Sequence, residues 1–333
     1  MTPLCERLPA SRERDARELA LLNALPAPLN ALDGYRSERL DRVHERALDL
    51  ARRLGVEPEP PLVRSRAVAA LTVGDFDAAR AAGAQLRARG DDVLVVEGEW
   101  ILGIAAYWSG RLEDAKRHLE AALAGWRPEH RGEHLLRYGQ DTQLTCRIRL
   151  AHTMWLLGHH HEAERTRDAA LADVREHEHT RAIVHLWSAL IALDARDPER
   201  LRADARVVTA RPSGPAERAA AALAGFVEML DGRVAPGLER IGRAADAAGR
   251  GEPAAPGELG LVLRILVEAC TLADDAAAGV AATERALRTS NAAQPWTAEI
   301  QRLQRAFRGR ERFGNGWSST MPPTPDDLPD HHI

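Results

Sequence analysis

The chain has 333 residues, 45% of them hydrophobic and 28% charged, and its 49 acidic against 45 basic residues leave a formal net charge of -4 at pH 7. So small a net charge excludes long-range attraction to nucleic acid or to an anionic membrane as the organising feature. Lys116 is the only lysine and lies in the charged run Glu113 to Arg117, which excludes a Walker A loop and argues against Schiff-base chemistry.

Residues 1–10 read as a flexible N-terminus, and Glu6, Arg7, Arg12, Glu13 and Arg14 interrupt the apolar stretch that a signal peptide would need. From residue 11 onward Ala, Leu, Arg and Glu dominate with no sustained period-two alternation, so helices are expected throughout. Pro26 and Pro28 break the first helical pattern, and weak copies of a helix pair end their first helix near Leu32 to Gly34. Pro58, Pro60 and Pro61 mark the connector to the next pair.

A recurring pattern then emerges, in which a helix with a small residue is followed by a glycine turn, an apolar residue two further on, and a second helix with its own small residue. The first good copy centres on Gly74-Asp-Phe76-Asp-Ala-Ala79. The clearest runs from Trp100 through Gly103, Tyr107, Gly110 and Leu112 to Ala115, with Leu119 and Ala122 following. Further copies centre on Trp155-Leu-Leu-Gly158 with Ala163 and Ala170, and on Gly225 with Gly232 and Ile241. Weaker ones fall near Asp194 to Asp197 and Ala273 to Asp275. Equivalent turns are spaced by about 36 to 48 residues. Arg211 to Pro215 is an extended connector or hinge. Pro295 to Arg308, with Trp296, Ile300, Leu303 and Phe307 on one face, reads as a terminal capping helix. Residues 309–333, rich in Gly, Pro and Asp, read as a disordered tail.

These positions resemble the 34-residue tetratricopeptide (TPR) consensus: small Gly103 and Ala115 where two helices touch, Gly110 at the turn. The expected fold is an all-α solenoid of about seven TPR-like helix-turn-helix pairs over residues 11–308, with a C-terminal capping helix. Leu135-Leu-Arg137-Tyr138-Gly139-Gln140-Asp141, Trp155 to Gly158, and Arg17 to Tyr35 further resemble the repeat region of bacterial ATPase-linked signalling proteins. Those proteins join a nucleotide cyclase or an antibiotic-regulator-type DNA-binding activation domain to an ATPase and helical repeats. The resemblance implies a sensory and interaction role. The sequence has no P-loop, cyclase segment or DNA-binding module, so it matches the repeat part alone, as a free-standing protein or as the remnant of a larger regulator.

In such arrays the first helix of each pair lines a concave face, and the resemblance directs Arg64, Trp100, Ile104, Tyr107, His152, Trp155 and Phe226 toward it. Aromatic side chains and arginine are typical of binding hot spots; the competing reading is that the aromatics pack between helices. Arg137, Tyr138 and Gln140 are candidate ligand or interface contacts, beside a structural reading in which Gly139 makes a turn and Asp141 or Thr142 caps the next helix.

His130-Arg-Gly-Glu133-His134 has the spacing of an inverted zinc-protease motif, but Pro128 and Gly132 disrupt the helix that would align the two imidazoles. His159 to Glu162 and His177 to His179 read as surface turns. Cys5, Cys146 and Cys270 are too far apart for a zinc or redox pair and fit a reducing compartment. Arg264 breaks the best apolar run, Leu261 to Cys270, well short of the roughly 20 residues a membrane helix needs. The sequence expectation is therefore a cytoplasmic, non-catalytic scaffold without metal or cofactor that binds a protein or peptide, with neither membrane nor nucleic acid as partner. Homo-oligomerisation is compatible with it. The alternative is a small-molecule or peptide effector sensor, and a metal-dependent hydrolase is the remote one.

Overall fold

The computed structural model describes residues 11–33, 37–174, 177–210, 217–249, 256–289 and 295–309. The N-terminus 1–10, the connector Arg211 to Pro215 and the tail from residue 310 lie outside the described residues. Among the described residues every regular element is a helix, and none is long and apolar enough to cross a membrane.

The chain opens with α1 (Arg12–Asn23), α2 (Pro26–Asp33) and α3 (Glu38–Leu54). Six hairpins follow in order: α4 (Pro60–Val73) with α5 (Phe76–Ala88), and α6 (Asp92–Trp108) with α7 (Leu112–Gly125). A short helix, α8 (Arg131–Tyr138), separates these from α9 (Thr142–Leu156) with α10 (His160–Ala172). Then come α11 (Glu178–Asp194) with α12 (Pro198–Ala210), and α13 (Glu217–Leu230) with α14 (Val234–Gly249). The last hairpin is α15 (Pro256–Leu272) with α16 (Ala276–Thr289), closed by α17 (Thr297–Arg308). Consecutive helices pack on one another along the chain.

The six hairpins share one turn. Gly74, Gly110, Gly158, Arg196, Gly232 and Asp274 all have positive φ. In each turn the next amide donates to the carbonyl four residues before the positive-φ residue, as Asp75 does to Ala70, Arg111 to Ala106 and Asp197 to Ala192. This closure satisfies carbonyls that the helix end would leave unpaired, and glycine suits its left-handed residue. Asp75, Asp197 and Asp275 then cap the second helix by accepting from Ala78, Arg200 and Ala278 amides, each cap contributing about 1 kcal/mol.

Close helix crossings explain the small residues. A Cβ on Gly103 would stand 2.9 Å from Leu119 Cγ, and one on Gly225 would stand 2.7 Å from the Gly237 carbonyl oxygen. First and second helices differ in burial for a compositional reason. Nearly every residue of α6 from Val93 to Tyr107 is buried because the helix is largely apolar on all sides and its two acids there, Glu97 and Glu99, have polar partners within the chain, whereas α7 buries only Ala115, Leu119 and Ala122 along one stripe.

The ends of the array meet through its interior. Helix α15 packs against α4, and Gly257 lets α15 approach the Trp108 ring, where a Cβ would come within 3.1 Å. Along α17, Ile300, Leu303 and Phe307 are buried on the face that the sequence pattern indicates. Trp296 goes further and reaches the middle of the molecule, with its ring 6.4 Å from Tyr107 and 6.0 Å from Trp108.

Candidate functional site

Two buried polar networks occupy the inner side of the first helices. The first lies beneath α8. Glu97 and Glu99 are the two acids of the largely apolar α6 beyond its first residue, and Glu97 is fully buried. Arg64 Nε, from α4, donates to Glu97 Oε2 at 3.0 Å. His134 Nδ1, from α8, and Thr142 Oγ1, at the start of α9, both donate to Glu97 Oε1, at 2.7 and 2.5 Å. Burial alone would raise the Glu97 pKa, but the Arg64 guanidinium, His134 and Thr142 outweigh it and hold the carboxyl below its usual range. The Arg64 guanidinium also lies 4.6 Å from the Trp100 ring centroid and 5.8 Å from that of Tyr138.

Helix α8 forms although Gly132 weakens its propensity, because tertiary contacts hold it against α2 and α4. Gly139, at φ 72°, ends it, and Asp141 caps α9 by accepting from the Leu144 amide at 3.3 Å. Several polar atoms in this region are buried without a hydrogen-bond partner: Arg64 Nη2, Trp100 Nε1, Tyr138 Oη and Gln140 Nε2. Each can donate a hydrogen bond, and Tyr138 Oη can accept one as well.

On the other flank of α8 a cleft of about 140 Å³ opens between α8 and the first turns of α9 and α11. Arg131, Asp141, Thr180 and Arg181 supply its polar lining, and Leu135, Leu144 and Val174 its apolar wall. Arg131 forms an ion pair with Asp141, and the Asp141 amide donates to Thr180 Oγ1 at 3.0 Å.

The second network crosses four hairpins. Tyr107 Oη donates to His152 Nδ1 at 2.7 Å, and His152 Nε2 donates to Asp194 Oδ2 at 3.1 Å. Arg264 Nη2 donates to Asp194 Oδ1 at 2.7 Å and its Nη1 to Glu268 Oε2 at 2.9 Å. Arg196 completes the chain on Glu268 at 3.3 Å. Burial keeps His152 neutral, overriding Asp194, and burial also holds the Tyr107 phenol protonated, which fixes the direction of donation along the chain. Beside this network the Arg149 guanidinium sits 3.4 Å from the Trp187 ring centroid, 4.7 Å from Tyr107 and 5.4 Å from Trp108.

The structure thus brings together Arg64, Trp100, Tyr138 and Gln140 beneath α8, and Tyr107 with His152 in the second network. Arg137 is half-buried beside them, paired with Glu133 at 2.5 Å. Ile104 and Phe226 are packed in the apolar core, and the rings of Trp155 and His160 meet edge to face, with centroids 4.3 Å apart. Apart from Arg137, all the residues expected on an open concave face or in the connector are buried within the chain itself. The zinc-protease-like spacing does not converge, since His134 turns to Glu97 and Glu133 to Arg137. No group of three or more metal-ligating side chains is arranged for an ion among the described residues.

Sequence reasoning missed Glu97, Asp194, Arg264 and Trp187. The signal available for Glu97 and Arg264 was a charge within a nearly continuous apolar helix, which demands a buried partner of opposite sign. Comparison with known proteins places the chain in no group: no family model, no curated protein and no solved structure matches it.

Proposed function

We propose that the chain is a TPR-like α-solenoid that acts as a non-catalytic regulatory module and senses a small effector at the site around α8. The solenoid reading is supported by six hairpins with one turn geometry and small residues at corresponding crossings. The observation that carries the effector reading is the cleft lined by convergent polar groups on one flank of α8, with the buried, unpaired donors beneath the helix on its other flank. A long peptide lying in an open concave groove is less well supported, because the side chains that would grip it already pack against one another and against Trp296.

Helix α8 is well placed to transmit binding. It is short, it lies in the longest interval between hairpin turns, and it touches α2, α4 and α9 together. A ligand that favours one position of α8 would shift how the hairpins on either side of it pack.

Thermal unfolding in the dialysable and non-dialysable fractions of a lysate of the native host tests this reading. A higher unfolding temperature in the dialysable fraction is the expected result. A rise only in the non-dialysable fraction would return the protein to the scaffold class.

A further inference from the structure

Arg149, on α9, is a cation without a counterion. Its guanidinium stacks 3.4 Å from the Trp187 ring centroid, with Tyr107 at 4.7 Å and Trp108 at 5.4 Å, so aromatic rings attract its faces. No hydrogen bond or carboxylate reaches the guanidinium among the described residues. Burial lowers its pKa to about 10, with Tyr107 opposing, and it stays charged at neutral pH.

The charges around it supply no partner. Asp194, Glu268 and Glu299 act on Arg196, Arg264 and Arg302, three of each sign, and these cancel while His152 stays neutral. Toward α7 the acids are also engaged, Glu99 by Arg87 and His118 and Asp114 by Arg111 and Arg117. Arg149 is the cation in excess. Acceptors are short here as well, because Arg149 Nη1, Arg264 Nε and Trp296 Nε1 are each buried without one.

One edge of the guanidinium remains open. Nη1 is shut off from solvent, whereas Nε and Nη2, which also make no hydrogen bond, keep contact with it. Elsewhere in the chain this same Nε–Nη2 edge grips both oxygens of a carboxylate, Arg46 on Glu18 at 2.7 and 2.8 Å and Arg302 on Glu299 at 2.7 and 2.6 Å. We propose that Arg149 is the receptor of an anion site inside the array, where Nε and Nη2 hold a small carboxylate and Trp108, the partly exposed ring of the cage, meets its apolar body. A carboxylate lies in the guanidinium plane. The tetrahedral oxygens of a phosphate project out of that plane, toward the rings. The site is separate from the cleft beside α8 and does not depend on the effector reading.

Isothermal titration calorimetry of the full chain with benzoate, its neutral isostere benzamide, and inorganic phosphate tests the assignment. Saturable binding of benzoate alone is expected. Arg149→Met, whose apolar side chain suits the aromatic cage, should weaken it roughly 10- to 100-fold, the range for losing a charged hydrogen bond. Arg149→Lys keeps the charge but not the fork and should weaken it about 10-fold; it carries the test if the methionine variant does not fold. Arg147→Gln removes a charge from the same helix, where Arg147 pairs with Asp173, and should leave binding unchanged. Absence of benzoate binding to the wild-type chain overturns the proposal, as does binding of benzamide or phosphate as tight as that of benzoate. Wild-type affinity in the folded Arg149 variants, or an equal loss in Arg147→Gln, overturns it too.

Discussion

Arg264 donates to Asp194 at 2.7 Å across 70 residues of chain. The bond links the end of α11 to the middle of α15, and through His152 and Tyr107 it reaches α6. Burial raises the Asp194 pKa, but Arg264 and His152 more than reverse that and keep the carboxylate charged. Burial opposes the Arg264 charge, and Asp194 and Glu268 outweigh it, so its pKa is raised.

Removal of Arg264 should therefore be costly, because two carboxylates would be left buried without their main partner. Arg264→Met is expected to destabilise the chain by about 3 to 5 kcal/mol, measured by urea unfolding. A triple variant that replaces Asp194, Arg264 and Glu268 with apolar residues should recover much of that loss. If the single variant unfolds at the wild-type urea concentration, the pair does not hold the array closed.

Gly103 and Tyr107 both lie on α6 but act differently. Gly103→Leu would drive a side chain into Leu119 and should cost roughly 1 to 3 kcal/mol through overpacking. Tyr107, fully buried among Trp108, Trp187 and Trp296, should cost about 3 to 5 kcal/mol on replacement by alanine. A thermal melt of Tyr107→Ala that matches wild type would show that its side chain does not pack this interior.

Asp274 is exposed and holds φ 51° at its turn, where four of the other five turns use glycine. Asp274→Gly should stabilise the last hairpin by roughly 0.5 to 1 kcal/mol by relieving the left-handed strain. Urea midpoints of the two proteins decide this, and an unchanged or lowered midpoint contradicts it.

Burial, assisted by the nearby Arg66 charge, lowers the His44 pKa to about 4, against about 6.5 unfolded. The unfolded chain then binds more protons between these values. Stability from this group is fully present above about pH 6.5 and is lost as pH falls toward 4, with a limit of about 3 kcal/mol. Chemical denaturation across that range should show a steeper loss for wild type than for His44→Gln. Parallel slopes would mean that His44 titrates normally in the folded chain.

The helical hairpins were legible where their chemistry is local. Gly74, Gly110, Gly158 and Gly232 announce left-handed turns, and the face of α17 follows from the spacing of Trp296, Ile300, Leu303 and Phe307. The turns at Arg196 and Asp274 gave weak signals because neither uses glycine. Helix α8 read as connector, since Gly132 and Pro128 argue against a helix and the contact that stabilises it, His134 on Glu97, joins residues 37 apart. The inward closure was illegible for the same reason. Arg264 looked like a break in an apolar run, and nothing near it in sequence announces Asp194.

Hydrogen exchange of the free chain and of the chain in the dialysable lysate fraction tests the central claim most directly. The effector reading predicts slower exchange in residues 131–141 and in the first turns of α11, with the outer helices unchanged. Protection confined to the outer faces of the second helices, with residues 131–141 unaffected, would contradict it.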